Sequence, residues 1–109
     1  MLAKRYHLPI QNFLGKKGRV IKTPYFLLKI FPAEQLSSRF GIVISRKVFK
    51  KAVDRNRLKR RIFNFLREIK DKLPLADYLI IVSPAAAQLN NFELRNWLSK
   101  NFSNPVTNN

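Results

Sequence analysis

The chain contains no cysteine and a single histidine, and only 6 Asp and Glu stand against 22 Lys and Arg. Without cysteine there are no disulfides and no thiolate metal ligands, as expected in a reducing compartment. His7 has no second histidine to work with and reads as part of a basic N-terminal arm. The carboxylates are scattered, and Asp54 and Glu68 are separated by a run of cations, so no acid/base dyad and no protein-held two-metal centre is expected. The three glycines build no phosphate-cradling loop. No apolar run approaches the roughly 18 residues of a membrane span. The opening MLAKRYHLPIQNF lacks a signal-peptide apolar centre. The expected location is therefore cytoplasmic, away from any membrane.

What the chain has in excess is positive charge. A formal net charge of +16 on 109 residues creates self-repulsion that a polyanionic partner, foremost a nucleic acid, would relieve. The composition is nevertheless that of a folded protein, 46% hydrophobic with nine phenylalanines. The length suits one modest core. The expected organisation is a flexible basic arm over residues 1–7, one domain over 8–102 and a disordered tail over 103–109.

Pro and Gly punctuate the domain. A short helix is expected over 9–14, followed by the loop GKKGRVIKTP, with residues 21–23 extending the next strand. YFLLKIF (25–31) and RFGIVIS (39–45) are aromatic and β-branched, and the turn PAEQLSS between them predicts an antiparallel pair. Alternation turns Phe26, Leu28, Ile30, Phe40, Ile42 and Ile44 to the core. The opposite face carries Tyr25, Leu27, Lys29 and Phe31 beside Arg39, Gly41, Val43 and Ser45, with Lys47 continuing the row, a mixture suited to a wet, ligand-facing surface.

Over 52–73, Leu58, Ile62, Phe65, Leu66, Ile69 and Leu73 fall on one stripe at about 100° per residue, predicting a long amphipathic helix. DYLIIVSP (77–84) reads as a buried strand, and NNFELRNWLSKNF as a final helix with Asn90 and Glu93 as its capping box. The order helix, strands, long helix, strand, helix predicts an α+β two-layer sandwich.

The same winding places Asn56, Arg60 and Arg67 together opposite the stripe, flanked by Arg57 and Lys59, with Phe63 in their sector as an exposed ring able to stack on a base. The run 46–61 holds nine cations and one carboxylate, so compensating surface ion pairs do not account for it. On charge alone, a ribosomal protein or general RNA chaperone stays open. So does a DNA-binding regulator, although the helix lacks the preceding partner of a helix-turn-helix.

The block FGIVISRKVFKKAVDRNRLKRR resembles the signature of the bacterial ribonuclease P protein subunit, as do LPIQNF with KKGR, DYLIIVSPAA and FELRNWL, in order over 8–102. The resemblance implies an α-β sandwich with a left-handed crossover. It implies an RNA-binding subunit of the ribonuclease P endoribonuclease, a hydrolase holoenzyme in which RNA carries the chemistry and the protein supplies no catalytic residue. The implied partners are the catalytic RNA and the 5′ leader of precursor transfer RNA, with no obligate protein partner and a monomer in the holoenzyme. Mg²⁺ would be bound mainly by the RNA and none by the protein alone. Arg55, Asn56, Arg57, Lys59, Arg60 and Arg67 match the positions that meet the catalytic RNA, joined by Phe63. Phe13, Arg39, Ser45 and Lys47 match leader-contacting positions, and Tyr25 and Lys29 lie on the same predicted face. The segment NFLGKKGR is shorter than the family pattern and lacks its second aromatic, the linker VFKK is one residue longer, and Phe63-Asn64 replaces a frequent Arg-Glu pair.

Overall fold

The computed structural model describes residues 6–107, with side chains through Phe102. The ends of the expected arm and tail, residues 1–5 and 108–109, lie outside the described residues. A 3-10 turn, Ile10–Asn12, precedes strands β1 (Arg19–Lys22), β2 (Phe26–Pro32) and β3 (Arg39–Val43). Helix α1 (Ala52–Ile69), β4 (Ala76–Val82) and α2 (Asn91–Thr107) follow, with 3-10 turns Lys70–Lys72 and Pro84–Gln88 at the ends of α1 and β4. The strands form one sheet in the order β1-β2-β4-β3.

The expected antiparallel pairing of the 25–31 and 39–45 segments is corrected: β4 lies between them, antiparallel to β2 and parallel to β3. The sequence of β4, ADYLIIV, is buried along nearly its whole length, which is the pattern of a central strand covered on both faces. Such a strand needs a neighbour on each side, and α1 is the crossover that lets β3 and β4 run parallel. Residues 19–22, expected to be loop and strand extension, form a separate strand paired with β2.

The alternation of β2 and β3 is as expected. Phe26, Leu28, Phe40 and Ile42 are buried against Leu58, Ile62, Phe65 and Leu66 of α1 and Leu94, Leu98 and Phe102 of α2, with Ile30 and Ile44 packed at the margin. Both helices therefore lie on one face of the sheet. The capping box forms: Glu93 N–H donates to Asn90 Oδ1 at 2.8 Å and Asn90 N–H to Glu93 Oε1 at 3.0 Å. From that start α2 runs on to Thr107, into the stretch expected to be a disordered tail. The arm also ends earlier than expected. His7 bridges to Phe40 at the free side of β3, and Leu8 N–H donates to the Phe40 carbonyl at 3.0 Å.

A smaller cluster of Leu8, Phe13, Phe31 and Leu79 occupies part of the other sheet face. Gly41 permits this closure, because a Cβ there would stand 2.8 Å from Ile10 Cγ1 and 3.2 Å from Leu8 Cβ.

Candidate nucleic-acid interface

Lys51 stands at the cap just before helix α1, its side chain making no capping bond, and Asp54 in the first turn meets the partial positive charge of the helix start. Along its outer side Asn56, Arg57, Arg60 and Arg67 are exposed and Lys59 is half-buried, as the periodicity predicts. Arg55 is turned back instead, its Nη1 donating to the carbonyls of Phe49 at 2.9 Å and Lys50 at 2.8 Å. It holds the VFKK linker against the helix. Arg46, Lys47, Val48 and Lys50 line a shallow concavity where that linker begins. Arg46 and Lys50, with exposed Lys51 and Arg61, extend the basic surface beyond the residues picked from sequence, although their presence in the cation run was the available signal.

Phe63 is not an exposed ring. It is 1% exposed and belongs to the main core, stacked on the imidazole of His7 with centroids 4.8 Å apart and planes at 17°. The residues just before Pro9 come back along this flank of α1, Tyr6 lying under the Lys70 ammonium at 4.8 Å. They cover a sector that the helical wheel alone leaves to solvent.

On the second sheet face, register sets three rows. Phe31, Asp77 and Arg39 form one; Val20, Lys29, Leu79 and Gly41 the next; Lys22, Leu27, Ile81 and Val43 the third. The first row is closed. Arg39 Nε donates to Asp77 Oδ1 at 3.1 Å and Nη2 to Oδ2 at 2.9 Å, with Asp77 0% and the Arg39 side chain 11% exposed. Nη2 also reaches Glu34 Oε1 at 3.2 Å. The bonds to Asp77 raise the Arg39 pKa above its ordinary value. Lys16 pairs with Glu34 at 3.0 Å and holds that carboxylate below its usual range. Lys16 Nζ and the Arg39 guanidinium lie 4.4 and 5.6 Å from the centre of the Phe13 ring, which is 1% exposed and tilted on Phe31.

Two leader assignments are corrected by this geometry. Phe13 has no open face on which a base can stack, and the Arg39 guanidinium is committed to carboxylates inside the protein. Together they clasp the segment 8–13 onto the sheet.

Tyr25 is also displaced from the expected face. Thr23 Oγ1 accepts the N–H groups of Tyr25 at 3.2 Å and Phe26 at 2.9 Å, making a turn that breaks strand alternation before Phe26. The ring points to the helix layer, where it meets Trp97 edge-on at 4.8 Å. Strand β3 ends at Val43, so Ser45 and Lys47 do not continue its row. They occupy a turn in which Ser45 Oγ accepts the Lys47 N–H at 3.3 Å and the Ser45 carbonyl that of Val48 at 3.1 Å, leaving both side chains exposed. Lys29 remains on the predicted face, half-buried. Beside it lies Lys22 of β1, missed because that strand was not recognised. What stays open is thus the half of the sheet lined by Lys22, Leu27, Lys29, Val43 and Ile81.

Each of the six carboxylates has a partner within the chain. Asp77 and Glu34 serve the clasp, Glu68 pairs with Arg95 at 2.9 Å and is held low by it, and Asp71 pairs with Lys70 at 3.3 Å. Glu93 caps α2, and Asp54 stands 4.0 Å from Arg57. Among the described residues no three His, Asp or Glu side chains gather where they could hold a metal ion. No helix among the described residues is long and apolar enough to cross a membrane.

The ribonuclease P family model matches residues 9–105. A ribonuclease P protein component of Synechococcus elongatus is 45% identical over 76 residues, covering 65% of this chain and 62% of the relative. One from Desulforapulum autotrophicum is 36% identical over 94 residues, covering 85% and 80%. The chain thus spans about three fifths of the length of the first of these relatives and four fifths of the second. Among solved structures, the ribonuclease P protein of Thermotoga maritima superposes with a TM-score of 0.77 at 25% identity, covering 88% of this chain and 94% of that one. On the two-layer fold, the basic flank of α1 and these likenesses, the chain belongs to the ribonuclease P protein family.

Proposed function

We propose that the chain is the RNA-binding subunit of a ribonuclease P holoenzyme that removes the 5′ leader of precursor transfer RNA, with the chemistry and the Mg²⁺ belonging to the RNA. The observation that carries this reading is the sorting of charge. Asn56, Arg57, Arg60 and Arg67 are exposed on one flank of α1, where the nearby carboxylates are Asp54, 4.0 Å from Arg57, and Glu68, which is paired with Arg95. A rigid helix presenting such a row suits phosphates of a folded RNA, whose condensed counterions are released on binding. The leader is assigned to the open half of the second sheet face and the adjoining turn, with Lys29, Ser45 and Lys47 retained from the sequence reading and Lys22 added. Half-buried Leu27, Val43 and Ile81 provide an apolar floor and the lysines the phosphate contacts, a combination suited to single-stranded RNA. The expected setting is the cytoplasm, with one copy per holoenzyme.

Reconstitution tests this. Added to a bacterial ribonuclease P RNA at low Mg²⁺, the chain should restore leader cleavage, and alone it should cut nothing. Lys29→Ala/Lys47→Ala should weaken precursor transfer RNA binding more than mature transfer RNA binding. Equal losses for the two would remove the leader assignment, and failure to stimulate the RNA would remove the whole reading.

A further inference from the structure

Opposite the sheet clasp, between the first turns of α1 and the 3-10 turn Pro84–Gln88, is a cavity of about 150 Å³. We propose that this notch receives one unpaired guanine base of the bound RNA. The proposal rests on the reading that α1 faces RNA. It concerns a contact beyond the exposed flank of Asn56, Arg57, Arg60 and Arg67, with which the notch shares only Arg57.

The volume equals that of about five water molecules, the size of one nucleobase. Phe49, Ala86 and Leu89 provide apolar walls, while Asp54, Arg57 and Arg61 stand on the α1 side. Those three lie at i, i+3 and i+7, one ridge of the helix. Phe49 and Leu89 are half-buried, as expected for surfaces that a base plane would cover. The two arginines suit the flanking phosphates, or one can stack its guanidinium on the base.

Asp54 decides which base. It is the sole carboxylate among nine cations over residues 46–61. Its position in the first turn satisfies the helix dipole, yet that does not require it to line a cavity. Arg57 is 4.0 Å away, beyond hydrogen-bond distance, so that contact leaves the Asp54 oxygens able to accept. An ionised carboxylate only accepts hydrogen bonds. Among the four bases, guanine alone offers two adjacent donors on its Watson–Crick edge, N1–H and the N2 amine. Cytosine and adenine place an acceptor beside their amine, and uracil flanks its single N–H with two carbonyls. Phosphate itself would be repelled from this end of the notch.

The test uses the full chain bound to a bacterial ribonuclease P RNA, footprinted with kethoxal, which reacts at guanine N1 and N2. The wild-type chain should protect an unpaired guanine that becomes reactive again with saturating Asp54→Asn, and with Ala87→Leu, which fills the notch. Other protections should persist. Affinity should fall on the order of tenfold for Asp54→Asn, and inosine at the protected position, lacking the N2 amine, should cause a similar loss that Asp54→Asn does not add to. Circular dichroism checks folding, and Asp54→Asn, a change at the surface, decides alone should Ala87→Leu not fold. Identical kethoxal patterns for wild type and Asp54→Asn would overturn the notch and leave the RNA-binding reading standing. A wild-type chain that protects no nucleotide would overturn both.

Discussion

Replacing Arg39 by methionine tests whether the second sheet face is held by a buried ion pair. The change removes both guanidinium bonds, at 3.1 and 2.9 Å, from a carboxylate that is 0% exposed. An exposed pair is worth about 0–1 kcal/mol, because water and salt screen it. Asp77 has no such recourse, and stranding one partner of a buried pair costs about 3–5 kcal/mol. Loss of the cation beside Phe13 and of one contact to half-exposed Glu34 adds less than about 1 kcal/mol. Against a typical total of roughly 5–15 kcal/mol, Arg39→Met should remain folded with a thin margin. Arg39→Met/Asp77→Leu, which removes both charges, should recover most of the loss, since well-packed apolar replacements of buried pairs are often neutral. Urea is the suitable denaturant because it does not screen charge, and the one tryptophan, Trp97, reports unfolding from the helix layer. The midpoint should shift at constant slope. A stability loss below about 1 kcal/mol for Arg39→Met, or a double variant as unstable as the two single losses summed, would refute the buried-pair reasoning.

Phe63→Ala should cost about 3–5 kcal/mol of stability through cavity formation; a change confined to RNA affinity, with the melting temperature intact, would contradict its burial. Arg60→Ala should leave folding unchanged and reduce the slope of log affinity against log salt by roughly 0.7 to 1, so an unaltered slope would make Arg60 ordinary solvated charge. Tyr78, pushed up to about 12 by burial, should make stability fall at alkaline pH. Its phenol ionises in the unfolded chain near the ordinary 10 while staying neutral in the fold, so its contribution is complete below pH 10 and lost between 10 and 12, roughly 2–3 kcal/mol in all. Tyr78→Phe should lack that component, and parallel alkaline profiles for the two proteins would refute it.

The strong periodicities were legible without coordinates. Leu58, Ile62, Phe65 and Leu66 had to share one side of a helix, and Phe26, Leu28, Phe40 and Ile42 one side of strands, because backbone geometry alone sets those repeats. The Asn90 and Glu93 cap was legible for the same reason, since its bonds span only three residues. Phe63 and Tyr25 were misplaced where something non-local or a side-chain turn intervened. His7 covers the first from 56 residues away in sequence, and Thr23 interrupts the alternation that would have oriented the second.

By itself the sequence determined the helices, the core-facing strand positions, the excess of cations on one flank of α1 and the family resemblance, all properties of local spacing and composition. Tertiary structure alone decided that β4 enters the middle of the sheet, that Arg39 spends its charge on Asp77, and that the N-terminal segment closes over Phe63 on one side and Gly41 on the other. Those outcomes depend on which surfaces meet after the chain crosses over itself. Spacing along the chain carries no record of a contact between residues 38 positions apart, such as Arg39 and Asp77, which only the packing of β3 beside β4 brings within reach.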